Sequence, residues 1–148
     1  MKLLVINESE VKQPEDFLKK WVKTLSKELI QRKVITKDIA QKELTLMFLD
    51  STPAKKINWQ FRGKDYPTDV LSFEPVDEES SLGELVLCPQ VLQKQAVEHK
   101  QDYNDELGYM VLHGVLHLLG FDHEKSEADA KKMLELQDDV FQKLLKNS

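Results

Sequence analysis

The segment Asn104-Asp105-Glu106-Leu107-Gly108-Tyr109-Met110-Val111-Leu112-His113-Gly114-Val115-Leu116-His117-Leu118-Leu119-Gly120 decides how the chain is read. Asn104 is a good helix N-cap, and Asp105 and Glu106 place acids in the first turn, where the helix dipole favours them. From Leu107 onward the segment is apolar nearly all round: Met110, Val111, Leu112, Val115, Leu116, Leu118 and Leu119. A helix without a polar face is buried in the middle of its fold. Gly120 is a natural C-terminal stop.

Outward from this helix, turn and capping residues divide the rest. Upstream, Pro89 starts a helix through about residue 100, and Gly83-Glu84-Leu85-Val86-Leu87-Cys88 reads as a strand. Before it lie an acidic loop at residues 77–81 and a strand at residues 69–73, stopped by Pro75. Residues 43–50 alternate like a strand, and Ser51 caps a short helix that ends at Gly63. Residues 2–7 read as a strand. Pro14, Glu15 and Asp16 open a helix with the stripe Leu18, Trp21, Val22, Leu25 and Leu29. Lys19, Lys23 and Lys27 form a ridge beside that stripe, which reads first as a solvated face. Downstream, Ser126 and Asp129 fit the start of a last helix with the stripe Ala130, Met133, Leu134, Val140, Phe141, Leu144 and Leu145. No repeat or linker interrupts residues 1–148. The expectation is one α+β domain, about four strands followed mostly by helix, about five helices in all.

Composition narrows the class. With 148 residues, 41% hydrophobic and 32% charged, the chain is the size of one globular domain. A single cysteine, Cys88, makes no internal disulfide and fits a reducing cytosol. No apolar run approaches the roughly 20 residues of a membrane span, and the apolar start is too short for a signal peptide. A net charge of −5 argues against broad electrostatic binding of nucleic acid. Any RNA-directed activity therefore needs a local basic site or a metal.

Three of the four histidines fall in His113-Gly-Val-Leu-His117-Leu-Leu-Gly120-Phe-Asp122-His123. A spacing of four puts His113 and His117 on one helix face, one turn apart. Gly120 then lets the chain reverse and return His123 as a third ligand. Three neutral imidazoles suit one zinc ion and leave a fourth coordination position open. Asp122 is either a turn residue or an orienting partner, and His99, on a polar helix, is a bystander. The spacing equals that of the metzincin proteases, but Gly114 stands where their general-base Glu stands. That points to a hydrolase other than an ordinary protease. A second polar cluster, Phe61-Arg62-Gly63-Lys64-Asp65-Tyr66-Pro67-Thr68-Asp69-Val70-Leu71-Ser72-Phe73, offers the Arg62 fork to phosphate, with Lys64, Lys55 and Lys56 adding local positive charge.

Together, FRGKDYPTDVLSF and HGVLHLLGFDH resemble the YbeY family of bacterial endoribonucleases; Ile57-Asn58 and the Gly83–Cys88 strand agree. The likeness runs from about residue 44 to the end. Glu74 and Glu84 depart from the family's commoner Pro and Asp. The resemblance implies a mixed four-stranded sheet with helices packed on it. It implies one zinc per chain on His113, His117 and His123, with Arg62 facing phosphate beside it as the catalytic residue. It also implies a single-strand-specific endoribonuclease that matures the 3′ end of small-subunit ribosomal RNA and serves ribosome quality control. The partners would be single-stranded RNA, ribosomal RNA and the small ribosomal subunit, in the cytoplasm, with no membrane and no DNA. Two other readings remain: a non-catalytic ribosome-assembly factor with a structural zinc, its fourth ligand Asp122, Glu124 or Cys88, and a small zinc peptidase.

Overall fold

A computed structural model describes residues 1–121 and 126–147. Strand β1 (Lys2–Asn7) is followed by helix α1 (Glu15–Gln31), a short 3-10 turn (Ile39–Gln41), β2 (Glu43–Phe48) and α2 (Ser51–Arg62). Then come β3 (Val70–Phe73), β4 (Ser81–Leu87), α3 (Pro89–Glu98), α4 (Tyr103–Leu118) and α5 (Glu127–Lys146). The strands form one sheet in the order β1-β2-β4-β3. Strands β1, β2 and β4 run parallel, and β3 joins β4 antiparallel. The crossover through α1 is what makes β1 and β2 parallel, since a tight turn joins only antiparallel neighbours. Among the described residues the expected single α+β domain, with a mixed four-stranded sheet and five helices, is what the structure shows.

Alternation along the strands sorts the apolar residues to two faces. Leu44, Leu46 and Phe48 of β2 and Leu85 and Leu87 of β4 join α1, α4 and α5 in the larger core. Leu71 of β3, Val86 of β4 and Cys88 face the other way and meet Ala54 of α2 in a smaller one. The apolar character of α4 all round now has its reason: sheet lies on one side and other helices on the rest.

Close approach requires α4 to be thin at its contacts. A Cβ added to Gly114 would lie 2.6 Å from Leu85 Cδ2, and one added to Gly108 would lie 2.7 Å from the Trp21 ring. The Trp21 indole N–H also donates to Gly108 O at 2.9 Å. Each glycine weakens a helix by about 1 kcal/mol relative to alanine. Here that cost is offset by helix–sheet and helix–helix contact over fully buried leucines.

Two helix starts differ from expectation. Helix α4 begins at Tyr103 with Asp102 at the N-cap, not at Asn104. Tyr103 is drawn in by donating its hydroxyl to Gln13 Oε1 at 2.8 Å. Asp50, not Ser51, occupies the N-cap of α2. Its carboxylate serves tertiary partners instead, accepting from Gln90 Nε2 at 2.6 Å and from the Glu10 N–H. Ser126 caps α5 as expected, accepting from the Asp129 N–H at 3.0 Å.

His99, the C-cap of α3, is a joint rather than a bystander: its Nδ1 lies 2.7 Å from Glu106 Oε1, buried at the start of α4. Gln101 Nε2 donates to the same oxygen at 2.8 Å. The hydrogen bond to Glu106, and then its charge, raise the His99 pKa above the ordinary 6.5.

Two outcomes follow. Gly114→Ala must push Leu85 aside and is expected to lower stability by about 1–3 kcal/mol, read as a shifted urea midpoint. For His99 the raised native pKa means that its contribution is complete below the ordinary value and is lost as pH rises through the native one. Stability should therefore decline as pH rises above the ordinary histidine value and through the raised native one, and that part of the decline should vanish in His99→Gln. An identical pH profile in the variant would remove His99 from the account.

Candidate active site

Helix α4 presents His113 and His117 one turn apart, both half-buried. Their ring centroids are 4.6 Å apart with the planes inclined by 66°. The helix ends as Gly120 requires. The Gly120 N–H bonds His117 O and the Phe121 N–H bonds Leu116 O, both at 3.0 Å, while Gly120 takes a φ of +97°. This is a Schellman turn, whose left-handed residue is glycine for want of a Cβ. His123, with Asp122 and Glu124, lies outside the described residues.

Across a cleft of about 600 Å³ from these histidines stand Phe61 and Arg62, from the end of α2, and residues 69–73. Met110 of α4 completes the lining. Three local features bring Arg62 there. Gly63, at φ +67°, stops α2 and donates its N–H to Trp59 O at 3.0 Å. Asn58, buried, donates Nδ2 to Tyr66 O at 2.7 Å and ties down the connection to β3. Phe61 meets Phe73 edge to face with centroids 5.0 Å apart. The structure thus unites Arg62 with His113 and His117, far apart in sequence. Lys55, Lys56 and Lys64 do not line this cleft. The Lys19, Lys23 and Lys27 ridge lines a hollow with Met1, Leu3 and Gln41 instead, beside the β1 edge.

Two residues at the site were not singled out from sequence. Gln137 of α5 is 3% exposed, and its Oε1 lies 2.9 Å from His113 Nδ1. A carbonyl oxygen only accepts, so in this pair His113 Nδ1 is the donor and the ring offers a metal its Nε2. The signal was present: Gln137 falls in the buried stripe of α5 with Met133, Val140, Phe141 and Leu144. Asp69 supplies the carboxylate among the described cleft residues. Its Oδ1 accepts from the Val70 N–H at 2.7 Å and its Oδ2 from Gln95 Nε2 at 3.2 Å, which straps β3 to α3.

These donors fit a metal. Ligating histidines characteristically donate their second nitrogen to a carbonyl or carboxylate, which is what Gln137 provides for His113. Among the described residues no group of three His, Cys, Asp or Glu gathers, so His113 and His117 are the pair on which a site would be built. Cys88 is buried in the smaller core, on the sheet face opposite α4, and is removed from the candidate fourth ligands. Gly114, where a protease would carry its base, is pressed against Leu85, and a glutamate has no room there.

The family model described as Endoribonuclease YbeY matches residues 4–145. The chain belongs to the YbeY family. A protein of Bdellovibrio bacteriovorus named Endoribonuclease YbeY is 55% identical over 146 residues, covering 99% of this chain and 97% of the relative. One of Petrotoga mobilis with the same name is 36% identical, covering 99% and 98%. A solution structure of TM1509 from Thermotoga maritima matches with a TM-score of 0.64 at 30% identity, over 97% of this chain and 91% of that one. The YbeY assignment extends the likeness through β1 and α1, beyond the segment from about residue 44 that carried it in sequence.

If Gln137 fixes the His113 tautomer, Gln137→Leu should convert a single-tautomer ¹⁵N signature of that ring into a mixture in the metal-free protein. An unchanged spectrum would reduce Gln137 to a packing residue.

Proposed function

We propose that this chain is a zinc-dependent endoribonuclease. Its substrate is single-stranded RNA, and its place is the maturation of ribosomal RNA, at the 3′ end of the small-subunit RNA, and ribosome quality control in the cytoplasm. The small ribosomal subunit is the partner that delivers the substrate; neither DNA nor membrane takes part. The observation that carries the reading is Arg62 set across one cleft from His113 and His117 in a YbeY-family chain. Among the described residues no helix is long and apolar enough to cross a membrane.

One zinc ion per chain would be held by His113, His117 and His123, and would supply Lewis-acid chemistry to a phosphoryl oxygen and acidify a water. The chain's own groups do the rest. The Arg62 guanidinium binds the scissile phosphate as a fork and neutralises the charge that grows on its oxygens at the transition state. Gln137 holds the His113 ring in one tautomer, which spares the cost of ordering it on binding. Val70, Met110 and Phe73 make the cleft walls partly apolar, which strengthens the Arg62–phosphate attraction. Asp69, engaged by Val70 and Gln95, keeps β3 in place beneath the phosphate.

The test is cleavage of single-stranded RNA, with a peptide panel alongside, by the metal-loaded protein and its variants. Chelation and His117→Ala should each abolish cleavage and metal content together. Arg62→Ala should keep metal and thermal stability while losing on the order of 10²-fold in rate. Arg62→Lys should recover little, because a point charge does not replace a planar fork. Full activity in Arg62→Ala, or cleavage of peptides rather than RNA, would refute the reading.

A further inference from the structure

A second hollow lies along the outer face of α2, lined by Thr52, Pro53, Lys55, Lys56, Trp59 and Asp65. The two tryptophans of the chain differ sharply: Trp21 is 3% exposed and Trp59 is 59% exposed. A lone exposed apolar side chain needs no explanation. Trp59 is not alone. Lys55, Lys56 and Arg62 stand four and three residues before it and three after it, so helical spacing puts all three cations around the indole on one face. Phe61, by contrast, turns from that face into the cleft, where it meets Phe73. Arg62 is the last member of the row and also lines the cleft with His113 and His117. A track of cation, aromatic ring and cation therefore runs about 10 Å along α2 and ends at the candidate active site.

The charges on this track suit a polyanion. Lys55, Lys56 and Arg62 are concentrated here in a chain of net charge −5. The acid in the hollow, Asp65, pairs with Lys55 at 3.6 Å with both side chains exposed. Such a pair contributes little in water and yields readily to a phosphate. A basic track beside an exposed aromatic face is how proteins hold single strands without reading sequence: phosphates meet cations and a base stacks on the ring. The geometry points to Trp59 as a stacking platform for one unpaired base of the RNA strand whose scissile phosphate Arg62 receives, with Lys55 and Lys56 on adjoining phosphates. This rests on the endoribonuclease reading and adds to it a requirement for unpaired RNA on the α2 side of the cut. The demand for a single strand then comes from the platform, since a base inside a duplex cannot offer its face to an indole.

The test uses the full, metal-loaded chain and an oligouridylate of about ten nucleotides, within the usual span of single-strand sites. RNA should shield the exposed tryptophan emission from acrylamide, because Trp59 is the exposed one of the two indoles. Trp59→Ala should weaken RNA binding about tenfold while keeping thermal stability and metal content, and Trp59→Phe should restore most of the affinity. Unchanged acrylamide quenching, with Trp59→Ala binding within about twofold of the parent, would overturn the platform. So would a loss of affinity in the Lys19→Ala, Lys23→Ala, Lys27→Ala triple variant with none in Trp59→Ala, which would place RNA along α1. In both cases RNA cleavage that depends on Arg62 would leave the endoribonuclease reading standing. A parent protein that neither binds nor cuts single-stranded RNA would refute both together.

Discussion

Helix α4 is held against the sheet at the point where Gly114 meets Leu85, and everything at the site depends on that contact. His113 flanks Gly114 and His117 lies within a turn of it, so the distance between helix and strand sets the depth of both rings. The same seating fixes the cleft, because β3, paired to β4, forms the wall opposite. A bulkier residue at position 114 would lift the helix and widen the space between the imidazoles and Arg62. The glycine that looks in the sequence like a missing catalytic base is thus a spacer. Its identity separates this site from the proteases twice over, by removing the carboxylate and by bringing the helix too close to the strand to admit one.

Local signals were legible in the sequence, and non-local ones were not. The buried central helix showed in its uninterrupted apolar run, its end in Gly120, and the start of α5 in Ser126. Each of these depends on neighbours within one turn. The pairing of β3 with β4 and the parallel run of β1, β2 and β4 depend on which segments meet in space. Family likeness implied a mixed four-stranded sheet but not which strands pair. The two misplaced helix starts have one cause. Asp102 and Asp50 sit at the caps because Tyr103 reaches Gln13 and the Asp50 carboxylate is bound by Gln90 and Glu10, contacts between segments far apart in the chain.

The site divides in the same way. The spacing of His113 and His117 could be read directly, because a helix turns helical spacing into proximity. Arg62 could be proposed for its chemistry, but only the family resemblance put it beside the histidines, since its place in the cleft comes from the Asn58 tie to Tyr66, the stop at Gly63 and the Phe61–Phe73 contact. Gln137 passed unremarked as one polar residue in an apolar stripe. It becomes meaningful only when α5 is seen against α4. A buried polar residue on an otherwise apolar face is the pattern worth querying in such a sequence, because burial without a partner is costly.

The two faces of the sheet are unequally filled, and the site draws one arm from each. Helix α4 buries nine residues between the sheet and its neighbours, whereas α2 buries only Ala54 and Asn58, over the smaller cluster. Local stability follows buried contact, so the arm that carries the arginine opens at lower free energy than the arm that carries the histidines. Under the proposed role of Arg62, fraying of α2 would release a bound strand and leave the imidazole pair assembled. The molecule can then let go of a polyanionic product many times over without dismantling the part that is hardest to rebuild.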